Sequence, residues 1–317
     1  MKLFRSLNDF PTRFRGGAVA IGNFDGVHHG HRSIVEALNR HATNVIGPTI
    51  VFTFDPHPVR LLRPESSPPP LTWTDRKADL LAEIGIDAMI AYPTDRELLE
   101  LSYSDFFQKI VVERLAAKAM VEGPNFFFGH NREGNVDRLA ELCRERSIAL
   151  EIVSPNAMGN ELVSSSRIRK LIQEGEVGLA REMLTQPYRI RGIVVHGDAR
   201  GGKLGFPTAN LDGIDTLVPK FGVYAGRTLI NHRWHWSAIH IGPSPTFGQK
   251  LPRVEAHILN FEGSLYGRTI EVDFIERLRD ISSFSSPQEL QHQLLQDVEA
   301  TRVIAREFPQ SHREHHE

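Results

Sequence analysis

Gly22-Asn23-Phe24-Asp25-Gly26-Val27-His28-His29-Gly30-His31 decides how the first half of this chain folds. It follows Ala18 to Ile21, a short apolar run with the character of a buried strand. It precedes a stretch in which Ile34, Val35 and Leu38 share one helical face. A glycine-rich turn between strand and helix lets the backbone approach an anion closely, and the helix start offers it unpaired N–H groups. His28 and His31 are three apart, so one helical turn places both on the same side. On these residues alone more than one reading stays open. The imidazoles can donate to a phosphate, where charge builds during substitution at phosphorus. Alternatively, His28, His29 and His31 form a structural cluster or a zinc site, although no cysteine is near and Asp25 is the one close carboxylate.

Working outward, strand and helix signals alternate. Thr49 to Phe54 is β-branched and aromatic and ends at Asp55-Pro56-His57-Pro58. Helices are expected around Leu80, Leu81 and Ile84, over 106–115 and over 136–146, and strands over 88–92, 119–122 and 148–153. This order predicts a doubly wound α/β domain, a mainly parallel sheet with helices on both faces that binds ligands at the carboxyl ends of its strands. Two more helices, 165–174 and 176–184, are expected before Pro187 marks a boundary. Beyond it, strand-like runs at 191–196, 222–230, 236–241, 254–261 and 269–274 are separated by Gly, Pro and Asn, the pattern of a small antiparallel β-barrel. Ser286 with Pro287 then starts a C-terminal helix carrying Leu290, Leu294 and Val298 on one side. The expected domains are 1–186 and 187–317. Ser66 to Pro70 is expected to be a surface loop and Ser311 to Glu317 a solvated tail.

The bulk numbers exclude several function classes. A formal net charge of −2 gives no basic field, so no nucleic-acid partner is expected. The single cysteine, Cys143, excludes a disulfide within the chain and a cysteine-based zinc site, and its helical setting fits a buried apolar role. No stretch approaches the ~18 apolar residues of a membrane span. The N-terminus lacks the apolar core of a signal peptide. No membrane association is expected, and a cytoplasmic protein is.

Two further stretches carry chemistry. Val163-Ser164-Ser165-Ser166-Arg167-Ile168-Arg169 opens a helix with hydroxyls and guanidinium groups suited to phosphate oxygens, or is a plain capped helix with solvated arginines. Gly201-Gly202-Lys203-Leu204-Gly205-Phe206-Pro207-Thr208-Ala209-Asn210 is a glycine-rich loop able to wrap phosphates, or a Gly-Pro turn; it is not a Walker motif. Thr208 and Asn210 face one way on an extended segment and offer hard oxygens suited to Mg²⁺. Alternation puts Val254, Ala256 and Ile258 on one strand face and Glu255 and His257 on the other. Glu255 is then a candidate base for a primary alcohol, or an exposed strand glutamate.

The His-x-x-His element and the serine-rich, arginine-containing helix start together resemble the nucleotidyltransferase superfamily. Gly22 to His31, Thr53-Phe54-Asp55-Pro56-His57-Pro58 and Gly123-Pro124-Asn125-Phe126-Phe127-Phe128-Gly129 resemble segments of the bacterial bifunctional riboflavin kinase/FAD synthetase family. Gly201 to Asn210, Pro219 with Gly222-Val223-Tyr224, Ile241-Gly242 with Pro245-Thr246-Phe247, Glu255, Phe261 with Leu265-Tyr266-Gly267, and Leu278-Arg279, Phe284 and Asp297 resemble its kinase module. The resemblance runs from about Gly17 to Arg302.

The resemblance implies a Rossmann-like nucleotidyltransferase domain followed by a riboflavin kinase barrel with a C-terminal helix. It implies ATP-dependent phosphorylation of riboflavin to FMN with ADP released, then adenylylation of FMN to FAD with pyrophosphate released, each with Mg²⁺. His28 and His31 would contact ATP phosphates. Gly22, Asn23, Phe24, Asp25, Asn125, Ser164, Ser165 and Arg167 would hold the nucleotide. Gly202, Lys203, Gly205, Thr208 and Asn210 would hold ATP in the kinase, with Thr208 and Asn210 on Mg²⁺ and Glu255 as base. His57, Phe127 and Arg279 would lie near flavin. Phe127 stands where many members carry arginine, Lys203 where arginine is common, and Ser244 where asparagine or threonine is. A monomer or weak homo-oligomer is expected. A single-activity enzyme, a non-catalytic flavin-binding regulator and a nucleotidyltransferase for another substrate are the alternatives.

Overall fold

The computed structural model describes residues 1–317 except 9, 63, 160, 198–199, 244–251 and 309–317. Ser244, the Pro245-Thr246-Phe247 element and the 311–317 tail therefore lie outside the described residues, as does the side chain of Lys203. The chain forms two compact units. One comprises 1–68 and 73–165, the other 69–72 and 166–317.

The first unit is a six-stranded parallel sheet built from β1 (Lys2–Phe4), β2 (Ala18–Ile21), β3 (Thr49–Phe54), β4 (Ala88–Tyr92), β5 (Ala119–Glu122) and β6 (Ala149–Ile152), in the order β1-β4-β3-β2-β5-β6. Its helices are α1 (His29–Val45), α2 (Pro58–Leu62), α3 (Thr74–Glu83), α4 (Arg96–Glu100), α5 (Tyr103–Phe106) and α6 (Val136–Glu145). The strands alternate between two cores. Val19 and Ile21 join Ile50, Phe52, Met120, Leu139 and Cys143 on one side. Ala18 and Ala20 join Val35, Leu38, Val51, Leu81 and Val121 on the other. Both faces are covered, so the strands read as continuous apolar runs. The helix expected over 106–115 is present, but Phe107–Arg114 is wound as a π-helix. Edge strand β1 is paired with β4 and was not legible, because three residues show no alternation. The two-stranded sheet of β7 (Ala157–Met158) and β8 (Glu161–Leu162) is shorter still, two residues per strand.

The second unit is a closed antiparallel barrel in the order β10-β13-β12-β11-β14-β9. Its strands are β9 (Tyr188–Val195), β10 (Ala209–Asp212), β11 (Gly222–Ile230), β12 (Arg233–Pro243), β13 (Pro252–Ile258) and β14 (Thr269–Arg279). Its helices are α7 (Ser165–Glu174), which begins at the last residue of the first unit, α8 (Val177–Met183), the short α9 (Arg200–Lys203) and α10 (Pro287–Glu307). Five of the barrel strands match the five expected runs; the sixth, β10, starts inside the end of the glycine-rich motif. Ser286 caps α10, its hydroxyl accepting the Glu289 N–H at 3.2 Å, with Pro287 in the first turn.

A charged cluster is buried in this unit. Asp273 of β14 is fully buried and accepts from Arg189 of β9 and from Nε of Arg227 of β11 at 2.8 Å. Both guanidinium groups also lie over the Trp234 ring, 4.6 and 4.3 Å from its centroid. Removing the carboxylate leaves two buried arginines without its charge, a change that costs about 3–5 kcal/mol in comparable buried pairs. Asp273→Ala is therefore expected to destabilise the barrel by about that amount, read from urea melts followed by tryptophan fluorescence.

Candidate active sites

The sheet order places a topological switch point between β2 and β5, since the chain runs outward to one side through β3 and β4 and to the other through β5 and β6. The two strands share only the pairs Ala18–Ala119 and Val19–Met120, although each stays paired with its outer neighbour for four residues. Where they part, the Glu122 carboxyl fills the gap and accepts the Ile21 N–H at 2.7 Å. Glu122 is buried, and burial holds its carboxyl well above the usual range, opposed by the Ile21 hydrogen bond. Gly22 follows directly.

The turn from Gly22 to His31 then bends through left-handed backbone at Phe24 (φ 46°), Gly26 (φ 84°) and Val27 (φ 38°). Two non-glycine residues in that region store strain typical of functional turns. His28 caps α1 in extended backbone, and its N–H donates to Nδ1 of His31 at 3.2 Å. A backbone N–H can only donate, so Nδ1 of neutral His31 is the acceptor and its proton rests on Nε2. The two imidazoles stack, with centroids 3.7 Å apart and planes 17° from parallel. Nδ1 of His28 is buried without a hydrogen-bond partner. Burial lowers the His28 pKa to about 4, and burial together with neighbouring His28 and Lys77 holds His31 well below the usual imidazole value. The site thus presents two neutral imidazoles at a helix start. Among the described residues no group of three or more His, Cys, Asp or Glu is arranged to hold a metal ion.

The structure brings the serine-rich segment to this turn. The Ser165 hydroxyl donates to the Asp25 carbonyl at 2.8 Å, joining residues 140 apart. Gly30 leaves room for the His28 ring, since a Cβ there would crowd it at 3.1 Å. Ser164 is half-buried, and Arg167 sits two residues past Ser165 in α7, beyond the first unit. Asn23 is exposed, and its carbonyl accepts from Thr53 Oγ1 at 3.2 Å. His57 uses Nδ1 to accept the Val59 N–H at 3.0 Å, a local loop contact. The 123–134 loop is closed by Phe128–Gly134 backbone bonds of 3.0 and 2.9 Å. It leaves Asn125 exposed and Phe127 44% exposed, with the Arg132 guanidinium 4.4 Å over the Phe127 ring.

Two groups at this site escape the sequence reading. Lys77 of α3 is buried, and Nζ reaches Thr53 Oγ1 at 3.5 Å. Its spacing to Leu80, Leu81 and Ile84 puts it on the apolar face of its helix, a signal available in the sequence. Glu122, a carboxylate ending an otherwise apolar strand, is the other.

In the barrel, the antiparallel register sets Asn210 of β10 opposite Glu255 of β13, and Glu255 opposite His240 of β12. Directly paired residues share a face, so the three form one row across three strands. Val254, Ala256 and Ile258 are buried on the opposite face, as the alternation predicts. His240 Nδ1 lies 3.7 Å and Arg253 Nε 3.5 Å from the Glu255 carboxylate. Asn210 is buried, and its Oδ1 has no hydrogen-bond partner. Gly197 makes room for that amide, since a Cβ there would meet it at 2.4 Å. Thr208, half-buried, precedes β10. Within the glycine-rich motif, the N–H groups of Leu204, Gly205 and Phe206 donate to the Gly201 and Gly202 carbonyls, and exposed Gly205 takes φ 88°. His257 Nδ1 donates to the Pro207 carbonyl at 2.9 Å and so ties the motif to β13. Arg279, at the end of β14, forks onto Asp297 of α10 at 2.8 and 2.7 Å and gives its third nitrogen to the Asp280 carbonyl.

Comparison with known proteins agrees with this two-module arrangement. The FAD synthetase family matches residues 11–167 and the riboflavin kinase family residues 184–305. The bifunctional riboflavin kinase/FMN adenylyltransferase of Escherichia coli (strain K12) is 33% identical over 97% of this chain and 98% of its own length. The protein of that name from Pseudomonas fluorescens is 32% identical over 99% and 100%. The fold is shared with a solved structure described as a macrolide-efflux protein from Streptococcus pneumoniae, with TM-score 0.86, 28% identity, and 95% of this chain and 98% of that one covered. Among the described residues no helix is long and apolar enough to cross a membrane. With both modules present in order and relatives matched over nearly their full length, the chain belongs to the bifunctional riboflavin kinase/FMN adenylyltransferase family.

Proposed function

We propose that the two sites act in series, the barrel phosphorylating riboflavin to FMN and the α/β unit adenylylating FMN to FAD. The chemical division runs at 186/187, between a transferase module over residues 1–186 and a kinase module over residues 187–317. The observation that carries this reading is that each module keeps its own reactive group. Glu255 stands opposite Asn210 in one, and His28 stacks on His31 at a helix start in the other.

In the kinase module, Glu255 orients the terminal hydroxyl of the ribityl chain and takes its proton as the oxygen attacks the γ-phosphorus of ATP, releasing ADP. His240 and Arg253 border the carboxylate and aim it. The residues fit a hard divalent cation. Asn210 offers a buried, unpartnered amide oxygen and Thr208 a hydroxyl. Mg²⁺, when held by Thr208 and Asn210, supplies charge neutralisation to the phosphate chain. Gly202, Lys203 and Gly205 bring the motif backbone to the nucleotide, and Arg279 borders the flavin.

In the transferase module, an FMN phosphate oxygen attacks the α-phosphorus of ATP and pyrophosphate leaves. His31 donates through Nε2–H, and His28, buried and neutral, donates beside it. Gly22, Asn23, Phe24, Asp25 and Asn125 shape the nucleotide pocket. Ser164, Ser165 and Arg167 serve the phosphates. Phe127 and His57 face the flavin, with Phe127 offering a ring to stack where other members offer a charge. ATP, riboflavin, FMN and FAD are the ligands. A cytoplasmic monomer or loose homo-oligomer without nucleic-acid partners completes the reading.

A product assay with riboflavin, ATP and Mg²⁺, resolved by chromatography, is expected to show FMN transiently and then FAD; no conversion of either flavin would sink the reading. Glu255→Ala is expected to cut FMN formation by about 10²–10⁴-fold and spare conversion of supplied FMN to FAD. His28→Ala is expected to do the reverse, and loss of both activities from either folded variant would refute two independent sites. A third outcome concerns pH. His28 takes up its proton only near pH 4 in the folded state but near 6.5 when unfolded, so unfolding binds a proton between these values. Its contribution to stability is full above pH 6.5 and falls as the pH drops, by about 2 kcal/mol at pH 5. Urea melts at pH 7 and pH 5 should show His28→Asn losing less stability on acidification than the parent by about that amount.

A further inference from the structure

Lys77 is a buried cation with no ion-pair partner within 4 Å among the described residues. It lies in α3, only 8% exposed, and among the described residues its ammonium makes one hydrogen bond, to Thr53 Oγ1, long at 3.5 Å. That hydroxyl passes the contact on to the Asn23 carbonyl, at the entry of the turn that leads to His28 and His31. Asp25 and Asp55 are near enough to favour its charge, and its charge is felt at His31. Neither carboxylate closes on it. Asp55 accepts from Thr74 at 2.5 Å and lies 3.5 Å from Arg5, and Asp25 stays beyond ion-pair distance of Lys77.

A lysine kept in a folded core for structural reasons is paired, or it snorkels to solvent. This one does neither, and burial pulls its pKa down. Both histidines at the neighbouring turn are neutral, so neither supplies a positive charge there. A triphosphate arriving at the α1 start supplies the counter-charge that the protein withholds from Lys77.

We propose that Lys77 is a further catalytic residue of adenylyl transfer, its ammonium contacting the phosphate chain of ATP. The inference rests on the assignment of the Gly22–His31 turn as the adenylyl-transfer site. In the step, an FMN phosphate oxygen bonds to the α-phosphorus as the bond from that phosphorus to the β-phosphate oxygen breaks. The electron pair leaves on pyrophosphate. No proton moves to or from Lys77, which offsets the charge that spreads over the α-phosphate and the leaving group.

The test uses the full chain. Lys77→Met removes the charge and keeps the length, and Lys77→Arg keeps the charge. Lys77→Met is expected to lose about 10²–10³-fold in kcat/KM for FMN adenylylation, with riboflavin phosphorylation unchanged. It is also expected to melt at or above the parent temperature, because an unpaired buried cation has been replaced by an apolar group. Pyrophosphate should raise the melting midpoint of the parent and of Lys77→Arg, and not that of Lys77→Met. Adenylylation within about threefold of the parent in Lys77→Met, below the loss expected for one preorganised donor, would overturn the proposal. So would loss of activity together with a lowered midpoint, or an unchanged pyrophosphate shift, either of which makes Lys77 a structural group. His28→Ala run in parallel separates the two claims. If His28→Ala is inactive and Lys77→Met active, only the lysine inference fails; if His28→Ala keeps adenylylation, the site assignment fails.

Discussion

The hydrogen bond from the Ile21 N–H to the Glu122 carboxyl is the constraint on which the α/β site depends. Two parallel strands that part after two residue pairs leave backbone groups without a ladder partner in a buried place, where an unsatisfied N–H is costly. A side-chain carboxyl from one strand satisfies the other and lets the gap stay open. Without a gap there is no crevice at the switch point, and without a fixed Ile21 the strained turn through Phe24 and Val27 has no firm origin. Burial disfavours its carboxylate form, and the Ile21 hydrogen bond opposes that shift. Cys143 of α6 senses the same surroundings: burial and then Glu122 push its thiol up to about 12, so it is an inert core group.

On the proposed reading, the two units hold polyphosphate with different materials. The α/β unit would use a helix start, imidazoles kept neutral by burial, and the Lys77 ammonium behind the turn. The barrel relies on rigid neighbouring strands that place an amide, a carboxylate and an imidazole side by side. Its ends are fastened by Arg279 on Asp297 and by Phe206, which packs with Leu259 and Val298 beneath α10.

How much of this was legible varies with the residue. The histidine turn, the alternation of apolar strands and helices, and the Ser286–Pro287 cap were readable because each is a local pattern. The facing of Glu255 was readable for the same reason, as two-residue periodicity fixed it before any partner was known. What stands across from it was not, because His240 and Asn210 come from strands whose register only the closed barrel decides. Lys77 carried a visible anomaly, a charge on an apolar helix face, but its meaning lay in groups far along the chain. Glu122 was hidden for the opposite reason, since a strand end is an ordinary place for a charged residue and only the parting of β2 and β5 gives it work. The compact units themselves divide at Ser165, inside the first turn of a helix, where composition shows no change.

The row formed by Asn210, Glu255 and His240 has a consequence for how such a gene can vary in length. In a strand the side chains alternate, so one codon gained or lost within β13 would turn Glu255 toward the packed interior and bring an apolar neighbour into the row. The same event in a connecting turn leaves every pairing where it was. Length variation in this barrel is thereby channelled into its connections, and the strands can drift in composition only at constant count.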